Sequence, residues 1–290
     1  MNTTELINAL KIKGSFPTSD ELFSYDDFLV LFNMQMKIDI VPIMLKLNEE
    51  YFLQTKDFTI TQGATYRIPK RAVGTIIRDL KRVDSSGNYS DINRLYEEDR
   101  SSGKSGFYVK RNSVELSQDF TSDTLRMLIF ARPNKLVLPA ACAQITSIDT
   151  VLNQVVVSAV PATMAVSTLI DFVQNDNPYD LLNYDIAITS LSGTTLGFTL
   201  LPDDLAVGDW ICLANESPVP LLPDELHPVL VQSALVTTLS SKKDKALDYE
   251  SKDLAKQIEN AITMLDPRVQ NNSTKMRSGK MLDYFSARRI

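Results

Sequence analysis

The spacing of apolar and polar positions changes period twice along the chain. Ser24 followed by Asp27 has the spacing of an N-cap with an acidic third helical position, and Phe28, Leu31 and Phe32 then supply one apolar face. A helix is predicted to begin there. Asp39 is placed to cap a second helix in which Pro42 falls in the first turn, where its missing amide costs little, and Ile40, Ile43, Met44, Leu47 and Tyr51 line a stripe. Residues 20–54 thus read as two helices. After Thr55 the chain turns to short segments rich in Val, Ile, Thr and Phe that are broken by Pro, Gly, Asn and Asp, a β signature. Two hairpins are expected: residues 144–148 with 155–160 around the turn 149–153, and residues 185–190 with 195–200 around Ser192-Gly193. Residues 209–213 read as a last strand. Residues 84–106, with Ser85-Ser86-Gly87, Ser101-Ser102-Gly103 and Ser105-Gly106, read as a long mobile loop.

At Pro223 the helical period returns. Leu226, Val229, Leu230, Ala234 and Leu239 form one stripe, with Pro228 tolerable only in the opening turn. Leu247, Leu254, Ile258, Ala261, Ile262 and Leu265 form a second, stopped by Asp266-Pro267. Narrow apolar stripes at both ends of a chain need a partner surface, and the economical solution is to pack them on one another. The expected fold class is α+β: a discontinuous helical bundle (1–54 and 223–266), an inserted antiparallel β domain (55–222) and an extended C-terminal arm (267–290).

Charge is divided unevenly. The net charge is −6, yet from Asp266 onward six basic residues face two acidic ones, a net of +4 that leaves −10 for the rest. Tight DNA binding calls for the opposite profile. In the tail Lys275, Arg277, Lys280, Arg288 and Arg289 surround Met281, Tyr284 and Phe285, so apolar anchors flanked by positive charge suit an arm that grips an acidic protein partner. The plainer alternative is a solvated terminus. A second basic group, Arg67, Lys70, Arg71, Arg78, Lys81 and Arg82, could meet phosphates or an acidic neighbour, or else solvate an edge strand.

Candidate chemistry is sparse. The longest apolar run, residues 40–45, contains Pro42 and falls far short of the ~20 residues of a membrane span. The start of the chain carries no signal-peptide pattern, which points to a protein made and kept in a cytoplasm. Cys142 and Cys212 are expected as buried free thiols. His227, the single histidine, sits between Leu226 and Pro228 and reads as packing rather than catalysis. No Gly-x-Ser-x-Gly elbow and no phosphate-binding Gly-rich loop occurs. Asp171, Asp176, Asp180 and Asp185 match no calcium-loop spacing and read as turn and surface residues. Trp210 is expected to anchor the β domain. No cofactor and no metal is expected.

Read in order, several segments resemble the neck connector proteins, also called adaptors, of podophages and related tailed phages. They are Asp39-Ile40-Val41-Pro42 leading to Glu49-Glu50-Tyr51-Phe52; Tyr66-Arg67-Ile68-Pro69-Lys70-Arg71-Ala72-Val73-Gly74 with Arg78-Asp79; and Ala131-Arg132-Pro133-Asn134 with Ile148-Asp149. Gly208-Asp209-Trp210-Ile211, Glu216-Ser217-Pro218-Val219-Pro220 and Glu225-Leu226-His227-Pro228 continue the series. The resemblance runs through nearly the whole chain, and it is the joint order of the pieces that is specific. It implies a non-enzymatic head-to-tail connector, a homo-oligomeric ring of about twelve copies docked on the portal protein, in contact with further neck or tail proteins. Genomic DNA would pass through without specific binding, in a virion neck assembled in the host bacterial cytoplasm, with no membrane involved. The alternative is a tail-tube or fibre-attachment module. A third reading, an unrecognised hydrolase, would need a pocket that the sequence does not advertise.

Overall fold

A computed structural model describes residues 1–16, 23–61, 63–98, 103–117 and 123–265. Within them the protein is α+β, with helices at both ends and predominantly antiparallel strands between. The first helix, α1 (Thr3–Lys13), was not expected. It is closed by a reciprocal capping box, in which the Asn2 side chain accepts from the Glu5 backbone N–H and the Glu5 carboxylate accepts from that of Asn2. Ser24 and Asp27 make the predicted box at the start of α2 (Tyr25–Gln35).

Asp39 does not cap a second helix. The backbone runs on through a π-helical turn, Met36–Ile40, into α3 (Val41–Leu47), where the Val41 N–H reaches back to the Met36 carbonyl. Pro42 has no amide to bond the preceding turn and its ring crowds that turn, so one widened turn accommodates it without ending the helix. The Asp39 carboxylate instead accepts from the Ser233 hydroxyl. The continuous helix Tyr25–Leu47 is, by length and composition, apolar enough to cross a membrane, which the division at Asp39 concealed. Half of its apolar window is buried. Phe28, Phe32, Met36, Ile40 and Met44 belong to the helical core.

That core joins the two ends of the described chain. Leu6, Ile7 and Leu10 of α1 and the Phe28 to Met44 face cluster with Leu230, Ala234 and Leu235 of α4 (His227–Lys242) and with Ile258 and Ala261 of α5 (Leu247–Leu265). Pro228 falls in the first turn of α4, as expected. Helix α4 is buried on several sides because α1, α2 and α5 all pack against it.

The strands of the first half are β1 (Leu53–Thr59), β2 (Thr65–Arg67), β3 (Ala72–Val83), β4 (Tyr89–Asp91), β5 (Phe107–Lys110), β6 (Ser113–Leu116) and β7 (Thr124–Ala131). They make two sheets, in the orders β1-β7-β3-β4 and β2-β6-β5, over a core that includes Tyr66, Leu80, Val114, Leu125 and Met127. Residues 84–106 are therefore not simply a loop. Asp84 accepts from the Ser86 and Asn88 N–H groups and closes a tight turn, β4 pairs with β3, and Ile92 and Leu95 are buried. Residues 99–102 lie outside the described part.

Later strands are β8 (Lys135–Leu136), β9 (Ala143–Asp149), β10 (Gln154–Val157), β11 (Leu169–Val173), β12 (Leu181–Ala187), β13 (Ser190–Ser192), β14 (Thr195–Gly197), β15 (Trp210–Leu213) and β16 (Glu216–Ser217). Seven of them form one sheet, β12-β11-β15-β9-β10-β14-β13, over a second β core with Ile145, Val155, Phe172, Leu196 and Ile211. The β9–β10 hairpin falls where the alternation placed it. The turn at Ser192-Gly193 also forms, Gly193 having φ +58, but the strand before it is split, because β12 pairs with β11 and only β13 turns back onto β14. The parallel β8–β16 pair, beyond the expected last strand, supplies Leu136 to the helical core.

Candidate functional site

Residues 266–290 lie outside the described residues, and with them the expected docking set Lys275, Arg277, Lys280, Met281, Tyr284, Phe285, Arg288 and Arg289. The second basic group is described, and its members take three different paths. Arg71 turns inward and is buried, so it presents no charge to a partner. Arg78, Lys81 and Arg82 lie on β3 and are matched by carboxylates: Arg78 with Glu50 at 3.5 Å, Lys81 with Asp79 and Asp91 at 3.6 Å each, and Arg82 with Asp123. Arg67 and Lys70 stay exposed.

Arg71 meets Asp171, which is fully buried on β11 and is not the surface residue expected. One guanidinium nitrogen lies 3.1 and 3.2 Å from the two Asp171 oxygens and 3.0 Å from the Asp185 carboxylate. Asp171 also accepts from the Asn134 side chain at 2.7 Å and from the Asp185 and Asn215 backbone N–H groups at 3.0 and 2.8 Å. The Arg71 guanidinium rests 4.6 Å from the centre of the Tyr184 ring. A carboxylate saturated by cation and amide donors is a closed structural hub, with no lone pair aimed into a cavity. It ties the start of β3 to β11, β12 and the segments beside β8 and β16. Among the described residues no group of three His, Cys, Asp or Glu side chains is placed to hold a metal ion.

His227 is buried at the start of α4. Its Nδ1 lies 3.1 Å from the Met1 amino nitrogen and 3.4 Å from Asp224, its Nε2 lies 3.2 Å from the Leu222 carbonyl, and its ring is 5.0 Å from that of Tyr179. Burial, aided by the Met1 ammonium, brings the imidazole down to about 4. It is therefore neutral at pH 7 and bonded on both nitrogens, an arrangement for packing. Cys142 and Cys212 are buried free thiols, and burial pushes Cys212 up. Trp210 is half-buried, with its indole N–H on the Asn175 side chain at 2.7 Å.

Two surfaces of opposite charge remain. The first is acidic and lies beside a cleft of about 150 Å3 whose lining includes Tyr51, Tyr179 and Asp180. Burial raises both phenols, Tyr179 to about 12. The carboxylates of Asp224, Glu5 and Asp176 add to the effect at Tyr179, and those of Asp180 and Glu225 at Tyr51. All five acids are exposed. Arg132, also on the cleft, and the Met1 amino group, 3.9 Å from Asp224, offset part of this charge.

The second surface is basic and was only partly foreseen. Arg67 of β2 pairs across the sheet with Ser113 of β6, which pairs in turn with Lys110 of β5. Residues directly paired across antiparallel strands project from the same face. Arg67 and Lys110 therefore stand on either side of the small Ser113, with Tyr66 and Val114 pointing the other way into the core. Arg111 and Asn112 close the hairpin, and the five residues with Thr65 line a shallow depression of about 450 Å3. The sequence signal for this hairpin was a two-residue polar turn, Arg111-Asn112, between the apolar run Phe107-Tyr108-Val109 and the alternating Ser113-Val114-Glu115-Leu116.

No protein-family model and no curated protein matches this chain.

Proposed function

We propose that this protein is a structural virion subunit, a head-to-tail connector or adaptor whose copies close into a ring on the portal protein and continue the DNA channel toward the tail. In this reading it performs no catalysis and needs no cofactor. The observation that carries the reading is the core shared by the helices at both ends of the described chain, from Leu6 and Phe28 to Leu230 and Ile258, with every described strand contributed by the chain between them. On this view residues 1–54 and 223–266 form a discontinuous bundle, residues 55–222 an inserted β domain, and residues 267–290 an extended basic arm that docks on the portal or a neighbour. A ring closed by rotation needs two different faces on each subunit, and a helical core beside separate β cores can offer them. The resemblance of the ordered segments to those of neck connectors favours the same conclusion. The acidic body suits a channel that lets a polyanion slide past. The protein would then act in the virion neck, after assembly in the host cytoplasm.

Native mass spectrometry and class averages of the purified assembly test this directly. A closed ring of about twelve copies that attaches to portal-bearing heads is the expected result. A trimer would favour a fibre-attachment module instead, and a tube that grows without closing would favour a tail-tube subunit.

A further inference from the structure

We infer that the basic hairpin tip formed by Arg67, Lys110 and Arg111 docks on the acidic surface around Tyr51 and Tyr179 of a second copy of this chain. The inference deepens the ring reading, on which it rests, by naming the two unlike faces that a heterologous contact requires.

Three observations carry it. None of Arg67, Lys70, Lys110 and Arg111 has an ion-pair partner among the described residues, whereas Arg78, Lys81 and Arg82 on β3, the next strand in sequence after β2, all have one. Glu115, two positions from Ser113 and on the same face, is the nearest acid along β6, and it leaves the tip with an excess of positive charge.

The second observation is the backbone at Arg111, the first residue of the two-residue turn, which has φ +56. Glycine or asparagine adopts the left-handed region at little cost, and arginine does not. A long, exposed cation held in that conformation at the apex of a hairpin, with no ion pair among the described residues, is strain that no described contact explains.

The third is complementarity. Outside residues 266–290 the chain carries a net −10, so a polyanionic nucleic acid approaching the tip meets a repulsive body. The depression between Arg67 and Lys110 has no aromatic lining on which a base could stack. A second copy brings what the tip lacks, exposed carboxylates: Asp180 lines the cleft, and Glu5, Asp176, Asp224 and Glu225 are near enough to act on Tyr51 or Tyr179.

Charge exchange tests the pairing in the full chain. One variant carries Arg67→Glu, Lys110→Glu and Arg111→Glu; another carries Asp176→Lys, Asp180→Lys and Glu225→Lys. Under conditions where the unchanged protein assembles, each variant alone should associate at least ~10-fold more weakly, because like charges then face each other. An equimolar mixture should reassemble, since the acidic tip of one fits the basic shelf of the other. Added salt should dissociate the unchanged assembly. Arg111→Gly serves as a control for folding. It relieves the backbone and should leave the melting temperature unchanged or higher while weakening association. Oligomers that survive both reversals would overturn the pairing and leave the ring reading intact, with its contacts elsewhere. An unchanged protein that stays monomeric would overturn both. If tip reversal spares the oligomer but abolishes retention on duplex DNA, the tip serves a polyanion and the pairing is wrong.

Discussion

Arg71 and Asp171 are 100 positions apart in sequence, and their meeting inside the protein shows how little a charge pattern says about which charges are spent internally. Arg71 sits among six basic residues within a short stretch, where a solvated cluster is the natural reading, and Asp171 sits in a strand whose local pattern is silent about a partner. Only the tertiary packing that sets the start of β3 beside β11 of the later sheet brings them together. Breaking a buried pair from one side strands the other charge in a poor solvent, at a cost of about 3–5 kcal/mol. Arg71→Met and Asp171→Asn should each lower stability on that scale in denaturant titration. The double variant should lose clearly less than the two single losses combined, because the second change removes the stranded partner. Additive losses would mean the two residues act independently. His227 gives a prediction in pH. Its folded value, about 4, lies below its ordinary 6.5, so below pH 6.5 the unfolded chain takes up a proton that the folded protein refuses. Its contribution is present above pH 6.5 and is lost as pH falls toward 4, on the order of 3 kcal/mol in all. Chemical denaturation at pH 7 and pH 4.5 should show this slope, and His227→Gln should flatten it. An unchanged slope would assign the pH dependence to the carboxylates.

Elements were legible where a local rule decides the backbone, and obscure where packing does. Ser24 with Asp27 marked α2, Ser192-Gly193 marked a turn, and the alternation around residues 149–153 marked the β9–β10 hairpin, all of them rules acting within a few residues. Asn2 with Glu5 carried the same capping signal for α1, but its stripe of Leu6, Ile7 and Leu10 spans little more than one turn and earns stability only against α4. The continuous helix Tyr25–Leu47 was concealed because proline is locally a stop, whereas a π turn lets the packed helix pass through it. Serine and glycine made residues 84–106 look unstructured, although Ile92 belongs to the first β core and Leu95 is buried. The basic tip was half legible. Arg67 stood out in the sequence cluster, but Lys110 and Arg111 join it only through the pairing of β2, β6 and β5.

At the scale of the whole molecule, the dependence of one end of the chain on the other is the property most open to test. The first β core, around Leu80 and Met127, and the second, around Phe172 and Ile211, include no helical residue, so each should survive loss of the C-terminal helices. The helical core has no such independence. Helix α4 lies at its centre, with Leu230, Ala234 and Leu235 against residues from α1 and α2, and Gln35 donates to Thr237 while Ser233 donates to Asp39 across the same contact. Removing α4 and α5 exposes the facing sides of Leu6, Leu10, Phe28, Phe32 and Met36. Each large side chain fully returned to water costs roughly 1.5–3 kcal/mol, so together they approach the whole ~5–15 kcal/mol that keeps an ordinary domain folded. A protein ending at residue 222 should therefore lose amide-exchange protection throughout α1 and Tyr25–Leu47. Protection in the paired segments of β3–β7 and β9–β15 should remain. The freed helix, apolar on the side that α4 had covered, should also make the truncated protein self-associate. If exchange in residues 25–47 is as slow as in the full chain, the N-terminal helices are stable without α4, and the two ends of the chain are neighbours rather than parts of one core.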